Sequence, residues 1–150
     1  MHNVSIVFAD LDKAVAFFVD LGMTELGSSV NEGDWVDQCC GVTGTRSRIT
    51  MLQTPDGHGR LELAQYLAPG VEPGLGALPA NTLGMHRVCF EVDDIDAALE
   101  VAARHGCAPL DRVAQYEDVY RMCYLRGPEG IIVMLGEPLK TGAAESVVPR

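Results

Sequence analysis

Three side chains of types that bind metals or move protons occur where they could meet in the folded chain. His2 stands in MHNV at residues 1–4, and His86 stands in MHRV at residues 85–88. Glu62 lies in an otherwise apolar segment, RLELAQY. Two imidazoles and a carboxylate can form an open, three-ligand metal site, and a carboxylate in apolar surroundings can act as a general base. The direction in which each side chain points decides between these chemistries.

The sequence around the two histidines is repeated in pattern. His2–Met23 aligns with His86–Cys107, and each copy has alternating apolar residues, then D-L-D or D-I-D, then apolar residues at helical spacing and a glycine. This order predicts a strand followed by a capped helix in each copy. The residues placed to cap and to end these helices are Asp10, Gly22, Asp94 and Gly106.

After each helix the apolar period returns toward two residues, which predicts three further strands in each half. These strand candidates are Thr24–Val30, Arg48–Gln53, Arg60–Tyr66, Leu110–Gln115, Tyr120–Leu125 and Ile131–Leu135. The expected organisation is a first β-α-β-β-β module at residues 1–66, a Pro- and Gly-rich linker at 67–83, a second such module at 84–138 and a flexible tail at 139–150. One helix cannot cover both faces of a four-stranded sheet. The α+β modules should therefore pair and leave a concave surface between their sheets.

The composition favours a small organic molecule as partner. The formal net charge of −10 gives no electrostatic attraction to nucleic acid or to an anionic membrane. The apolar runs are shorter than the roughly 18 to 20 residues of a membrane span. Five cysteines without a C-x-x-C pair predict free thiols, with Cys39 and Cys40 as packing residues. We expect a soluble, cytoplasmic protein.

The paired modules, the histidine-led strand before D-L-D and the turns TPDG at 54–57 and GPEG at 127–130 resemble the vicinal oxygen chelate superfamily. That superfamily includes glyoxalase I, methylmalonyl-CoA epimerase, extradiol dioxygenases, fosfomycin resistance enzymes and bleomycin-binding proteins. The resemblance covers about residues 1–138. It implies a pseudo-symmetric concave cavity, and it implies a homodimer because this architecture often completes its sheets or pockets through a partner.

In metal-dependent members of that superfamily, the first and last strands of each module supply the ligands, usually His and Glu. The resemblance places these four positions on Asn3, Glu62, Arg87 and Met134. Residues i and i+2 share a face of a strand. Since Val4, Ile6 and Phe8 should face the helix, Asn3 and Ser5 should face the cavity and His2 should not. The same alternation turns Arg87, Cys89 and Glu91 inward and His86 away.

A guanidinium is permanently cationic and has no lone pair for a metal, and a thioether is a poor ligand for hard or borderline ions. Arg87 and Met134 therefore predict an eroded metal site, in which Arg87 supplies the positive charge. The alternative is a register slip or bulge that turns His2 and His86 inward to join Glu62 around Ni, Zn, Co, Mn or Fe.

Two functions follow from these alternatives. The first is a small-molecule-binding protein of the glyoxalase and bleomycin-resistance type that either sequesters its ligand or acts on it without metal. Glu62 would then move a proton and Arg87 would stabilise negative charge, and the two are also expected to pair across the cavity floor. The predicted ligand-binding residues are Asn3, Ser5, Trp35, Glu62, Arg87, Cys89, Tyr116, Tyr120 and Met134. The second function is a metal-dependent lyase, epimerase, isomerase or dioxygenase whose divalent ion stabilises an enolate-like intermediate.

Overall fold

The computed structural model of the protein describes residues 1–74, 77–84 and 87–139. These residues form nine strands and three α-helices. The strands are β1 (Val4–Val7), β2 (Thr24–Glu32), β3 (Arg46–Gln53), β4 (Arg60–Ala68), β5 (Arg87–Glu91), β6 (Ala108–Pro109), β7 (Ala114–Tyr116), β8 (Tyr120–Arg126) and β9 (Ile132–Pro138). The helices are α1 (Leu11–Asp20), α2 (Asp34–Cys40) and α3 (Ile95–Arg104). Residues 140–150 of the predicted tail lie outside the described residues.

The first sheet has the strand order β1-β4-β3-β2, with β1 parallel to β4 and the other pairs antiparallel. Helix α1 joins β1 to β2, and its N-terminus is capped because the Asp10 carboxylate accepts the Lys13 N–H at 3.1 Å. Gly22 ends the helix at a φ of +114°, which glycine adopts without steric cost. The capping pattern of the sequence is therefore confirmed here.

The second sheet repeats this arrangement in the order β5-β9-β8-β6, with β7 also paired to β8 and β5 parallel to β9. The Asp94 carboxylate caps α3 by accepting the N–H groups of Asp96 and Ala97. The expected β-α-β-β-β pattern is confirmed in both halves.

The structure differs from the sequence-based prediction of strands in the second module. Of the strand expected at Leu110–Gln115, only Ala114 and Gln115 lie in a strand, β7; residues 110–113 lie outside any strand, and β6 precedes them. Pro109 has no N–H to donate to a ladder, which limits β6 to a two-residue segment paired with β8. The division leaves this edge of the second sheet shorter than the long β2 edge of the first.

Helix α2 is the other difference, because the sequence predicts no helix between the second and third strands. Helix α2 has seven residues, and Val36 is its one buried residue. Because a single buried residue makes no apolar helix face, the sequence shows no helical period of apolar residues here. The Asp37 carboxylate accepts the N–H groups of Gly44 at 2.7 Å and Thr45 at 2.8 Å, and Gly41 ends the helix at a φ of +72°. These local contacts, and not a broad apolar face, fix the position of the segment.

One buried core joins the two modules on the helix side of both sheets. The rings of Phe18 in α1 and Phe90 in β5 lie 6.1 Å apart, and Phe17 packs edge-on against His105 at 5.7 Å. The strands β1 and β5 stand at the facing edges of their sheets. Across the ranges that the structure describes, no helix has the length and apolar character to span a membrane.

Candidate functional site

The concave faces of the two sheets carry the candidate site, and strand register decides which side chains lie there. Ser5 pairs with Glu62 across β1 and β4, and Cys89 pairs with Met134 across β5 and β9. Val4 and Ile6 pack against the buried core, which leaves the alternate residues on the concave side. The predicted alternation is therefore confirmed for both first strands.

Glu62 is fixed by two side chains of the first strand segment. The Ser5 hydroxyl donates to Oε1 at 2.9 Å, and the Asn3 amide donates to Oε2 at 3.4 Å. Glu62 is half-buried and has further lone pairs that can accept a proton or a ligand donor. Its carboxylate is thus oriented on the floor of the first module.

His2 stands behind this carboxylate and does not reach it. Its Nε2 lies 3.2 Å from the Arg60 guanidinium, which can only donate, so Nε2 accepts and Nδ1 carries the hydrogen. Nδ1 then donates to Asn3 Oδ1 at 2.7 Å. Both ring nitrogens are engaged, and the hydrogen-bond chain runs from Arg60 through His2 and Asn3 to Glu62.

The alternative metal site of His2, His86 and Glu62 is not assembled by these contacts. His86 lies outside the described residues, so the alternative stays a prediction. Within residues 1–74, 77–84 and 87–139, no group of three or more His, Cys, Asp and Glu side chains is placed to hold a metal ion.

Arg87 has partners other than the expected one. Its Nη1 donates to the carbonyl of Ala80 in the linker at 3.0 Å, and its Cζ lies 5.4 Å from the centre of the Tyr124 ring. The ion pairs of the described residues do not join Arg87 to Glu62. The predicted Glu62–Arg87 pair is wrong, because Glu62 is bonded to Ser5 and Asn3 whereas Arg87 is bonded to the linker carbonyl of Ala80.

A cleft of about 450 Å³ lies between the facing edges of the two sheets. Ser5 lines it on the β1 side, and Arg87 lines it on the β5 side. The remaining lining residues are Val4, Ile6, Val7, Gly74, Leu78, Val88, Arg126, Glu129, Gly130 and Ile131. The cleft therefore combines a hydroxyl, guanidinium groups and apolar walls, and Ser5 connects it to Glu62.

The concave floor of the second module carries Cys89, Tyr120 and Met134. Tyr120 lies across Gly136, where an added Cβ would overlap the tyrosine hydroxyl. Burial raises the pKa of Tyr120, and the neighbouring Cys89 and Glu91 raise this pKa further. Burial also raises the pKa of the Cys89 thiol. The predicted residues Cys89, Tyr120 and Met134 thus lie on one surface as largely uncharged groups.

The predicted aromatic residues Trp35, Tyr116 and Tyr120 do not line the cleft between β1 and β5. Trp35 lies on α2 with 61% of its surface exposed. Tyr116 is 57% exposed and pairs with Tyr120 across β7 and β8.

The end of α2 brings a cysteine to the concave face that the sequence had suggested as a packing residue. Cys39 and Cys40 are both exposed, and all five cysteines are free thiols. The Thr45 hydroxyl beside Cys40 Sγ lowers the pKa of this thiol, and Tyr66 contributes to the same effect. Tyr66 itself has its pKa raised by burial, with smaller contributions from Cys40 and Glu62.

Sequence reasoning also missed Tyr124 and Arg126, although a signal for them was present. Both alternate with buried Cys123 and Leu125 in β8, so a period of two places them on the concave face. Tyr66 had the same signal, since it lies two positions after Ala64 and four after Glu62 in β4. No signal identified the linker carbonyl of Ala80, because the linker has no apolar period.

The donor set at the four expected ligand positions does not fit a divalent ion. Asn3 and Glu62 offer oxygen atoms, whereas Arg87 offers only cationic N–H groups and Met134 a thioether. A guanidinium at this place would repel a metal cation.

Comparisons with known proteins agree with this fold and give its relatives. A glyoxalase family protein of known structure from Bacillus cereus is 41% identical, covers 93% of this chain and 94% of its own, and superposes with a TM-score of 0.89. A 2-epi-5-epi-valiolone epimerase of Actinomyces is 35% identical over 67% of this chain and 55% of its own length. The human mitochondrial methylmalonyl-CoA epimerase is 31% identical over 66% of this chain and 49% of its own. The chain thus spans about half the length of the curated relatives it matches.

A family model described as the glyoxalase/bleomycin resistance protein/dioxygenase superfamily matches residues 2–124. That range includes both first strands, both long helices and the cleft residues Ser5 and Arg87. The chain therefore belongs to the glyoxalase/bleomycin resistance protein/dioxygenase superfamily.

Proposed function

We propose that this chain binds a small organic molecule in the cleft between β1 and β5 without a divalent metal ion. The observation that carries the proposal is the position of Arg87. It lies in the cleft at a place where the superfamily usually has a histidine ligand, and Ala80 and Tyr124 hold its guanidinium. Members of this superfamily often use a divalent metal, and here a fixed organic cation occupies one of the ligand positions.

The physical argument is one of charge and lone pairs. A guanidinium is a permanent cation, so that of Arg87 can attract a ligand oxygen as a metal ion would, but it cannot share a site with that ion. Its contact with the Tyr124 ring adds a cation–π attraction of about 0.5–1 kcal/mol at an exposed site. Met134 supports the same proposal, because its thioether offers no substitute for the usual carboxylate.

A second candidate is proton transfer by Glu62 on the bound ligand. Both curated relatives are named as epimerases, which supports this candidate. Glu62 would remove a proton from a carbon next to a carbonyl, and a water molecule on the opposite face of that carbon would supply the proton that replaces it, so the configuration inverts and no oxidant is needed. Arg87 would stabilise the negative charge that develops on the carbonyl oxygen.

Free thiols and an open strand edge support two further parts of the proposal. The five free cysteines are compatible with a reducing compartment, so we place the protein in the cytoplasm. We also propose a homodimer, since β2 ends its sheet and exposes Leu26 and Val30. Light scattering of the purified protein checks the dimer, and a monomeric mass would contradict it.

A thermal-shift screen of small organic compounds tests the binding proposal. Each compound is measured with EDTA and then with added Ni, Zn, Co or Mn. We expect compounds that stabilise the protein equally in both conditions and lose their effect in Arg87→Gln. The matched control is Arg112→Gln, which removes an exposed arginine that does not line the cleft. Stabilisation that appears only with a metal would instead support a metal-dependent lyase, isomerase or dioxygenase.

Isotope exchange tests the catalytic candidate. A stabilising compound with an acidic C–H is incubated with the protein in D₂O, and its mass is followed. Proton transfer by Glu62 predicts a gain of one mass unit that disappears in the isosteric variant Glu62→Gln. Binding without any mass gain would assign the protein to sequestration, and a gain unaffected by Glu62→Gln would remove Glu62 from the reaction.

A further inference from the structure

The cleft contains a second guanidinium, that of Arg126, to which the proposed function gives no role. Arg87 and Arg126 both pair with Ile132, from β5 on one side of β9 and from β8 on the other. Two strand spacings put their Cα atoms about 10 Å apart on one face of the sheet. Both side chains line the cleft, so their charged ends lie along the same wall.

The partners of these guanidiniums hold them in place without neutralising them. Arg87 donates to the Ala80 carbonyl at 3.0 Å, and Arg126 donates to the carbonyls of Gly130 at 3.0 Å and of Leu78. A carbonyl oxygen carries no formal charge. The ion pairs formed by the described residues involve neither arginine. Two positive charges therefore remain uncompensated within a chain whose net charge is −10.

Glu129 is the acidic residue of the cleft lining, and its carboxylate has other partners. Its two oxygens accept the N–H groups of Ala9 at 2.9 Å and Asp10 at 2.7 Å, at the start of α1. Glu129 therefore caps the first module instead of pairing with Arg87 or Arg126. Ser5, the hydroxyl of the lining, donates to Glu62 and leaves its oxygen lone pairs for a ligand donor.

We propose that the ligand of this cleft is an amphiphilic organic anion, with a carboxylate, phosphate or sulfonate group held between Arg87 and Arg126. Each guanidinium has five N–H donors, of which Arg87 uses one and Arg126 two on backbone carbonyls, so each can still bind an anionic oxygen. The apolar side chains of Val7, Leu78 and Ile131 provide a wall for the rest of the ligand. This inference rests on the proposed function, since it assigns a ligand class to the same cleft.

Two fluorescent probes with the same aromatic body test the inference. The anionic probe is 8-anilinonaphthalene-1-sulfonate, and the neutral one is N-phenyl-1-naphthylamine, which lacks the sulfonate. We expect the anionic probe to bind more tightly and its affinity to fall as salt rises. Arg126→Gln should weaken the anionic probe at least about tenfold, the loss expected for one charge-assisted hydrogen-bonded contact. The neutral probe should change less than about twofold, which also shows that the variant is folded.

The controls separate charge in the cleft from charge elsewhere. Arg126→Lys should recover part of the affinity, and Arg112→Gln should leave both probes unchanged. Equal affinities for the two probes, or an equal loss in Arg112→Gln and Arg126→Gln, would overturn the inference. Metal-free binding of a neutral molecule would agree with the proposed function and contradict only the inference that the ligand is an anion. Anion binding that needs a metal would contradict the proposed function, whatever the response of Arg126.

Discussion

In the first module Ser5 lies opposite Glu62 on the concave face, and in the second module Cys89 lies opposite Met134 at the matching positions. The first pair is hydrogen-bonded around a carboxylate. The second pair is a thiol beside a thioether, and Arg87 lies two positions before Cys89 on the same strand face. At these matching positions one module therefore carries a hydrogen-bonded carboxylate and the other carries none, although the strand order is the same.

The helix-facing residues of the two modules are far more alike. Leu63 in β4 and Leu135 in β9 occupy matching positions, and both are completely buried in the common core. These positions must be apolar because each strand packs against its helix and against the other module. Ser5, Glu62, Cys89 and Met134 on the concave faces are less buried than these leucines, so the same scaffold can carry different polar groups there.

The largest predicted effect concerns the buried leucines that the two modules have in common. Leu63→Ala and Leu135→Ala should each lower the free energy of unfolding by about 2–5 kcal/mol, because each leaves a cavity in the same core. Met134→Leu on the concave face should cost less than about 1.5 kcal/mol, since the volume is nearly conserved. Urea denaturation measures all three. A cost for Met134→Leu equal to that of Leu135→Ala would show that the concave face is also part of the core.

The next prediction concerns a contact that only the second module makes. Glu129, in the turn before β9, binds the backbone N–H groups that precede α1 and adopts a φ of +52°. Glu129→Ala should lower the free energy of unfolding by about 1–2 kcal/mol, because it removes the carboxylate and keeps the unfavourable φ. Glu129→Gly should be less destabilised than Glu129→Ala, by about 0.5–1 kcal/mol. Equal stabilities for Glu129→Ala and the wild type would show that the two modules do not depend on this contact.

A third prediction uses α2, which has no counterpart in the second module. The N–H groups of Gly44 and then Thr45 lower the pKa of Asp37 below its ordinary value of 3.8. A lowered folded-state pKa adds stability above about pH 4, and this stability is lost as the pH falls through the folded-state pKa. Asp37→Asn should therefore be less stable than the wild type at pH 7, and the difference should shrink toward pH 3. A difference that is constant over this range would contradict the assigned role of the carboxylate.

The smallest effect expected is in thiol reactivity. The Thr45 hydroxyl lowers the pKa of Cys40 in the first module, whereas burial raises the pKa of Cys89 in the second. Iodoacetamide should modify Cys40 before Cys89 at pH 8, as followed by peptide mass spectrometry. Thr45→Val should slow the modification of Cys40 and leave that of Cys89 unchanged. Faster labelling of Cys89 than of Cys40 would contradict the assigned directions of the two pKa shifts.

The sequence allowed the fold and the strand face of Asn3, Ser5 and Glu62 to be predicted, for physical reasons that these residues show. Alternation along one strand places Asn3 and Ser5 beside Glu62, because strand geometry depends only on local spacing. The hydrogen-bond partner of Arg87 could not be predicted from strand alternation. It is a carbonyl of the aperiodic linker, and the path of that linker depends on tertiary contacts. Helix α2 was not predicted from the sequence for a related reason. The loop after it is fixed by backbone N–H groups that bind Asp37, and such contacts leave no apolar period in the sequence.

Metal binding by the purified protein tests the central claim most directly. The protein is dialysed against Ni, Zn, Co and Mn in turn, and the metal retained per chain is determined by elemental analysis. We expect much less than one equivalent in the wild type. The combined variant Asn3→His, Arg87→His and Met134→Glu, which restores the usual ligands of the superfamily, should gain one equivalent. One equivalent of metal in the wild type that is lost in Glu62→Gln would contradict the account.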